Sequence, residues 1–217
     1  MNLILDTSSS NMVAILQDEK HLFVAPKVSK KHQENLLPSI EKLLIENKTS
    51  LNKVDIIGVV VGPGSFTGIR LAVATAKGFC YVDRCKKIVA INILDLLGSV
   101  AKKSSKGKFC VCVKCTSSKF YVGQFDKNGK KTSQFVLLKD EINRLEDFEK
   151  FFFFDSEFFS FDNFKRIEIT DQDYVNFLNE KISKKDFVEF EKLEPLYMAL
   201  SQAEEELLKK EKKDDKK

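Results

Sequence analysis

The sequence predicts an α/β fold, and three observations carry the prediction. The chain opens with a meander of short apolar strands. Val54–Val61 is almost wholly apolar and β-branched, the composition of a strand covered on both faces. Segments of helical period alternate with such strands, which is the pattern of sheet and helix layers packed together. The elements read in order as βββ-α-β-α-β-α, then a break, then a shorter and more irregular second half.

Asn2–Leu5 is a first strand ending in the polar turn Asp6-Thr7-Ser8-Ser9-Ser10. Met12–Gln17 resumes as a strand, and Asp18-Glu19-Lys20 turns it back into His21–Val24. A helix follows, because Leu36, Leu37, Ile40, Leu43 and Leu44 fall on one face of a 3.6-residue period. Ser29 is its expected N-cap, and Pro38 implies a late start or a bend. After Val54–Val61, a second helix is expected from Ser65 to Tyr81, a short strand at Ile88–Ile91, and a third helix from Ile93 to Lys102.

The charged stretch KKSSKGK then separates a first unit, residues 1–103, from a second, residues 104–217. In the second unit Phe109–Val113 and Phe120–Phe125 read as a strand pair. The phenylalanine-biased run Phe151–Phe164 reads as buried strand and loop. A last helix, about Leu196 to Lys210, follows Glu194-Pro195 and leads into a lysine-rich tail.

A chain of 217 residues with 43% apolar and 31% charged residues can bury a core as one large domain or two small ones. Its net charge of +4 does not by itself point to nucleic acid, and part of the excess sits in the tail KKEKKDDKK, read as a solvated terminus. No apolar run approaches the roughly 20 residues needed to span a bilayer. The first residues lack the basic start of a signal peptide, and five cysteines, an odd number, fit a reducing compartment. A cytoplasmic protein is expected.

Two loops are candidates for chemistry. Gly62-Pro63-Gly64-Ser65-Phe66-Thr67-Gly68 stands between a strand and a helix start, where backbone amides can cradle an anion, with Ser65 as N-cap and Arg70 in the first turns. It fits neither the Walker A spacing nor the dinucleotide fingerprint. The competing reading is a tight turn, with Gly68, Ala72, Ala74 and Ala76 giving the helix small surfaces for close packing. Asp6-Thr7-Ser8-Ser9 can hold a metal-bound phosphate or form an Asx-turn. A residual nucleotide or anion site would therefore draw on Asp6, Thr7, Ser8, Gly64, Ser65 and Thr67.

Metal chemistry is poorly supplied. The two histidines, His21 and His32, form no His-x-x-x-His pair. Cys110-x-Cys112-x-x-Cys115 lacks a fourth ligand nearby and reads as small buried hydrophobes. All nine glycines lie at or before Gly129, so the later chain lacks the residues that let a backbone close on base and sugar. Neither metal nor cofactor is expected.

Asp6-Thr-Ser, His32 ahead of Leu36-Leu37-Pro38, Gly62-Pro-Gly-Ser-Phe-Thr-Gly68 with Ile69-Arg70, and Pro195-Leu-Tyr197 occur in that order. In this combination the chain resembles the TsaB (YeaZ) family, densely over residues 1–100 and again at Pro195-Leu-Tyr197. The resemblance implies an actin-like, Hsp70-like fold of the ASKHA, ribonuclease H-like class, with a complete first lobe and a reduced second one. It implies a non-catalytic, cytoplasmic subunit that pairs with the catalytic paralogue TsaD. That pair is joined by the ATPase TsaE, and it places threonylcarbamoyl on N6 of the adenosine beside the tRNA anticodon.

The resemblance further implies that tRNA is met only through the complex, that the chain alone can form a homodimer, and that the first two helices supply the pairing surface. The residues expected there are Leu36, Leu37, Ile40, Leu43, Leu44, Phe66, Ile69, Arg70, Val73 and Ala76. Periodicity alone leaves these side chains equally open to an intramolecular core. The family's Asp-Ala-Arg-like element after the linker is replaced by Lys114-Cys115-Thr116-Ser117-Ser118, which argues against a second phosphate loop. The other readings are an ATP-dependent phosphotransferase or ATPase of the same fold using Asp6 and the glycine loop, and a peptidase.

Overall fold

The computed structural model describes residues 1–26, 31–84, 86–153 and 164–199. Two five-stranded sheets form its frame. The first contains β1 (Asn2–Asp6), β2 (Val13–Gln17), β3 (Leu22–Val24), β4 (Ile56–Gly62) and β5 (Lys87–Asn92), in the order β3-β2-β1-β4-β5. β1 runs antiparallel to β2 and parallel to β4, so the meander passes into parallel strands at the middle of the sheet.

β4 is buried from Ile57 onward because helices cover both of its faces. On one face lie α1 (His32–Glu46) and α2 (Phe66–Val82). Leu36, Ile40 and Leu43 of α1 and Ile69, Ala72, Val73, Ala76 and Cys80 of α2 join Leu3, Leu5, Ile57 and Val59 in one core there. On the other face lie α3 (Ile93–Lys102) and α4 (Asp171–Ser183). They share a second core that takes Ile4, Ile15, Val60 and Ile91 from the first sheet and Phe109, Val111, Tyr121 and Phe151 from the second. Helices α3 and α4 are therefore the filling between two sheets.

The second sheet contains β6 (Phe109–Lys114), β7 (Lys119–Phe125), β8 (Lys131–Leu138), β9 (Glu149–Phe153) and β10 (Phe164–Ile167), in the order β10-β9-β6-β7-β8. β6 is antiparallel to β7 and parallel to β9, repeating the arrangement around β1.

The predicted element order of the first half is present. α2 begins one residue after Ser65, whose hydroxyl accepts from Gly68 N at 3.2 Å as the N-cap. α3 has the predicted limits, with the Asn92 side chain accepting from Leu94 N.

The structure corrects four expectations. α1 starts at His32 behind Lys31, which sits at φ 57°, so its cap position is Lys31; Ser29 lies outside the described residues. Of the late start or bend expected at Pro38, the late start is not found, since α1 begins six residues before it and runs on to Glu46. The second half is a full sheet with its own 13-residue helix, α4, rather than irregular chain. Its start is fixed by a capping box, Thr170 accepting from Asp173 N and Asp173 accepting from Thr170 N. Finally, Leu196–Met198 is not helical where a helix was expected, and Leu196 N donates to Val61 O at 2.8 Å. The remainder of that expected helix lies outside the described residues.

Within the phenylalanine-biased run, Phe151 and Phe152 are buried strand residues and Phe164 opens β10, while 154–163 lie outside the described residues.

Candidate functional site

The two sequence-predicted loops meet at the end of the first sheet. β1 carries Asp6 to the point where β4 delivers the glycine loop. The Asp6 carboxylate accepts from Ser8 N through Oδ1 at 2.7 Å, an Asx-turn. Thr7 Oγ1 donates to Gly68 O at 2.6 Å, and Ser65 N donates to Ser8 O at 2.7 Å.

The loops are thus bonded to each other. A Cβ at Gly68 would stand 1.8 Å from Thr7 O, and one at Gly64 would stand 2.4 Å from Ser8 O, so only glycine permits the approach. Gly62 takes φ +123° ahead of a cis bond to Pro63. Asp6, Thr7, Ser8, Gly64 and Ser65 are brought together, but as a closed joint; Thr67 points outward and is exposed.

The second oxygen of Asp6 is occupied as well. Tyr174 OH of α4 donates to Asp6 Oδ2 at 2.5 Å, and both residues are buried. Burial raises the Asp6 carboxyl above its ordinary range against the lowering effect of its hydrogen bonds to Ser8 and Tyr174. Burial, then the neighbouring Asp6, pushes the Tyr174 phenol well up. Tyr174 is absent from the expected site residues, since it lies 168 residues from Asp6 in a helix that was not foreseen.

His32 lies beside the same turn, its Nε2 2.9 Å from Ser10 O. Cys110 and Cys112 are buried in the second sheet. Among the described residues no three or more His, Cys, Asp or Glu side chains gather as a metal set. No described helix is long and apolar enough to cross a membrane.

The ten residues expected at a partner surface separate into two groups. Leu36, Ile40, Leu43, Ile69, Val73 and Ala76 are buried in the chain's own core. Leu44 is half-buried against that core, Leu37 is 54% exposed, and Arg70 is exposed. Phe66 stacks on Tyr197 with ring centroids 4.7 Å apart. The Arg70 guanidinium lies 5.8 and 5.5 Å from those two rings, and its Nε donates to Tyr197 OH at 2.7 Å.

The outward faces of α1 and α2 carry a different set. On α2, Arg70, Ala74, Gly78 and Tyr81 are exposed at spacings of four, four and three, followed by Val82 at 84% exposure. On the neighbouring α1, Leu37 and Ile45 are exposed, Ile45 by 67%. Small and apolar side chains are thus exposed on both helices, among the charged Glu34, Glu41, Lys42 and Glu46 of α1 and Arg70 of α2. Ile45, Tyr81 and Val82 were missed because each stands one or two residues past the stripe that fills the core.

Residues 14–147 match the family described as TsaD: tRNA N6-adenosine threonylcarbamoyltransferase. The chain is 28% identical over 153 residues to the tRNA threonylcarbamoyladenosine biosynthesis protein TsaB of Buchnera aphidicola subsp. Schizaphis graminum, a span covering 67% of this chain and 70% of that protein. It is 30% identical over 181 residues to the MG208 homolog of Mycoplasma pneumoniae, covering 80% and 84% of the two chains. In structure it is similar to YeaZ from Pseudomonas aeruginosa, with a TM-score of 0.70, 21% identity, and coverage of 90% of this chain and 98% of that one. With two five-stranded sheets of matching plan and the glycine loop seated between β4 and α2, the chain belongs to the TsaD family and, within it, to the TsaB (YeaZ) group.

Proposed function

We propose that this chain is a non-catalytic subunit in the making of threonylcarbamoyladenosine in tRNA, and that it works by holding and activating a TsaD partner through the outer faces of α1 and α2. The observation that carries the reading is the exposed stripe Ala74, Gly78, Tyr81 and Val82 beside Leu37 and Ile45, set against a loop pair bonded to itself. Small residues on a helix let a second helix approach closely, and exposed apolar residues beside them supply area to bury. A partner with the same two-helix face would complete a four-helix contact, and a second copy of this chain can take its place when the partner is absent.

On this reading TsaE joins the assembled pair, and tRNA is reached only through the complex. The candidate chemistry at Asp6 stays unused, because both its oxygens already have donors within the chain.

The test is co-expression with the TsaD of the same organism, followed by affinity capture and measurement of threonylcarbamoyladenosine in bulk tRNA. Wild-type chain should retain TsaD and support modification. Ala74→Glu and Ile45→Glu change exposed positions, so they should leave the fold intact while capture and modification are both lost. Normal capture and modification by both variants would sink this reading.

A further inference from the structure

We infer that Asp6 and Tyr174 form a latch between the lobes, so that the carboxylate at the end of β1 serves to seat α4 against the first sheet rather than to hold a metal-bound phosphate.

The geometry supplies the argument. Asp6 is 1% exposed and Tyr174 is 4% exposed, and Tyr174 OH reaches Asp6 Oδ2 at 2.5 Å. Oδ1 is held by Ser8 N at 2.7 Å, so neither oxygen of the carboxylate turns toward solvent. Magnesium bound at a phosphate site keeps several waters in octahedral array, and a carboxylate with both oxygens buried under a phenol offers no place for them. The tyrosine is held in position from several sides. Val175, Phe177 and Leu178 share the core between the sheets, and Leu178 Cδ1 would lie 3.0 Å from a Cβ at Gly58 in β4. Asp173 is capped by Thr170 and paired with Lys103 Nζ at 2.5 Å, which fixes the first turn of α4 to the end of α3.

The pairing is also chemically matched. A buried carboxyl left without donors is costly, and one phenolic hydroxyl plus one amide satisfy it without importing a charge. Burial shifts both groups upward from their ordinary values, disfavouring their charged forms, which agrees with a site from which water is excluded. The same side chain that blocks a metal is thus the one that joins the second lobe to the first.

The experiment uses the full chain with Tyr174→Phe, Asp6→Asn and the double variant. The readouts are amide hydrogen exchange and titration with magnesium ATP. Tyr174→Phe keeps the ring and removes only the hydroxyl, so exchange at residues 3–8 and 171–178 should accelerate about tenfold or more while residues 70–80 in α2 stay protected. Asp6→Asn retains an acceptor for the phenol and should accelerate exchange less. The double variant should be no worse than Tyr174→Phe alone, since the two act on one contact.

Wild-type chain should give no magnesium-dependent ATP binding at millimolar nucleotide. The latch is overturned if wild-type chain binds magnesium ATP and Asp6→Asn abolishes that binding. It is equally overturned if Tyr174→Phe leaves exchange in both segments unchanged, or if the two substitutions add independently. Failure of TsaD capture leaves these readouts untouched, so the two readings fail separately.

Discussion

The two lobes are built on one strand plan and finished differently. Read from the meander edge, the first sheet runs β3-β2-β1-β4-β5 and the second β8-β7-β6-β9-β10, with the same parallel and antiparallel neighbours at each step. α3 follows β5 as α4 follows β10. The covering on the outer faces differs. Between β3 and β4 the first lobe has the 15-residue α1; between β8 and β9 the second has a 3-10 stretch, Lys139–Leu145. Between β4 and β5 stands the 17-residue α2. The contrast separates two jobs. Paired sheets with helices between them make the fold, while long outer helices, found among the described residues on the first sheet alone, add a further face.

The strand ends show the same asymmetry. β1 ends in Asp6-Thr7-Ser8, locked to the glycine loop and to α4. The equivalent turn after β6 is Lys114-Cys115-Thr116, closed by Cys115 N and Thr116 N donating to Lys119 O. A duplicated frame does not oblige duplicated chemistry.

The largest expected effect breaks the first lobe at its joint. Gly68→Ala forces a methyl onto a carbonyl that cannot yield, and should cost about 3 kcal/mol or more. Gly107→Ala in the second lobe meets nothing closer than 3.7 Å and should stay within about 0.5 kcal/mol. Urea midpoints of the two variants measure the difference.

Next is Lys86, whose buried Nζ donates to Leu51 O at 2.8 Å and Val54 O at 2.6 Å and pairs with Asp83. Lys86→Met strands those acceptors and should cost about 1–3 kcal/mol, read from the same denaturation curves.

Gly78→Ala has the opposite sign. A Cβ there meets nothing within 4 Å in an exposed helix, so the isolated chain should gain up to about 1 kcal/mol. If close helix approach by a partner needs that position bare, capture should weaken while the melting temperature rises. Equal capture would show that α2 meets its partner elsewhere along its length.

The smallest effect belongs to the second lobe and to acid. Lys165, followed by the amides of Lys106 and Gly107, holds the Glu149 carboxyl down at about 2. A depressed folded value means that the contribution is present above the ordinary carboxylate range and is lost as pH falls toward 2. Thermal melts of wild type and Glu149→Gln should differ at pH 7 and converge as the pH drops through about 4 to 2.

Much of the first lobe was legible because its elements announce themselves locally. Val54–Val61 is apolar at every position but Asp55 and Gly58, and α3 has Asn92 to cap it and a strong apolar face. The glycine loop was legible as a tight turn, since Gly64 and Gly68 mark a place where chains touch. α4 was not read, although Thr170 and Asp173 spell a capping box and Tyr174, Val175, Phe177 and Leu178 share a face. Its signal is about two turns long and was overshadowed by the phenylalanine run before it. Leu196 and Tyr197 were assigned to a helix because an apolar run cannot state its partner; pairing with Val61 and stacking on Phe66 decide otherwise. Of the residues expected at a partner surface most face inward, because the stripe with the strongest period is the one the chain uses for its own core.

The strap from Val188 to Tyr197 has a consequence for how the protein is made. Val188 bridges to Ile88, Leu193 lies 1% exposed in the core under α1 and α2, and Tyr197 clamps the start of α2. The first lobe is translated first, yet this strap follows the whole second sheet in the chain. The helices that would meet a partner therefore gain that support only after the second sheet has been synthesised, which ties the finishing of that surface to the second lobe.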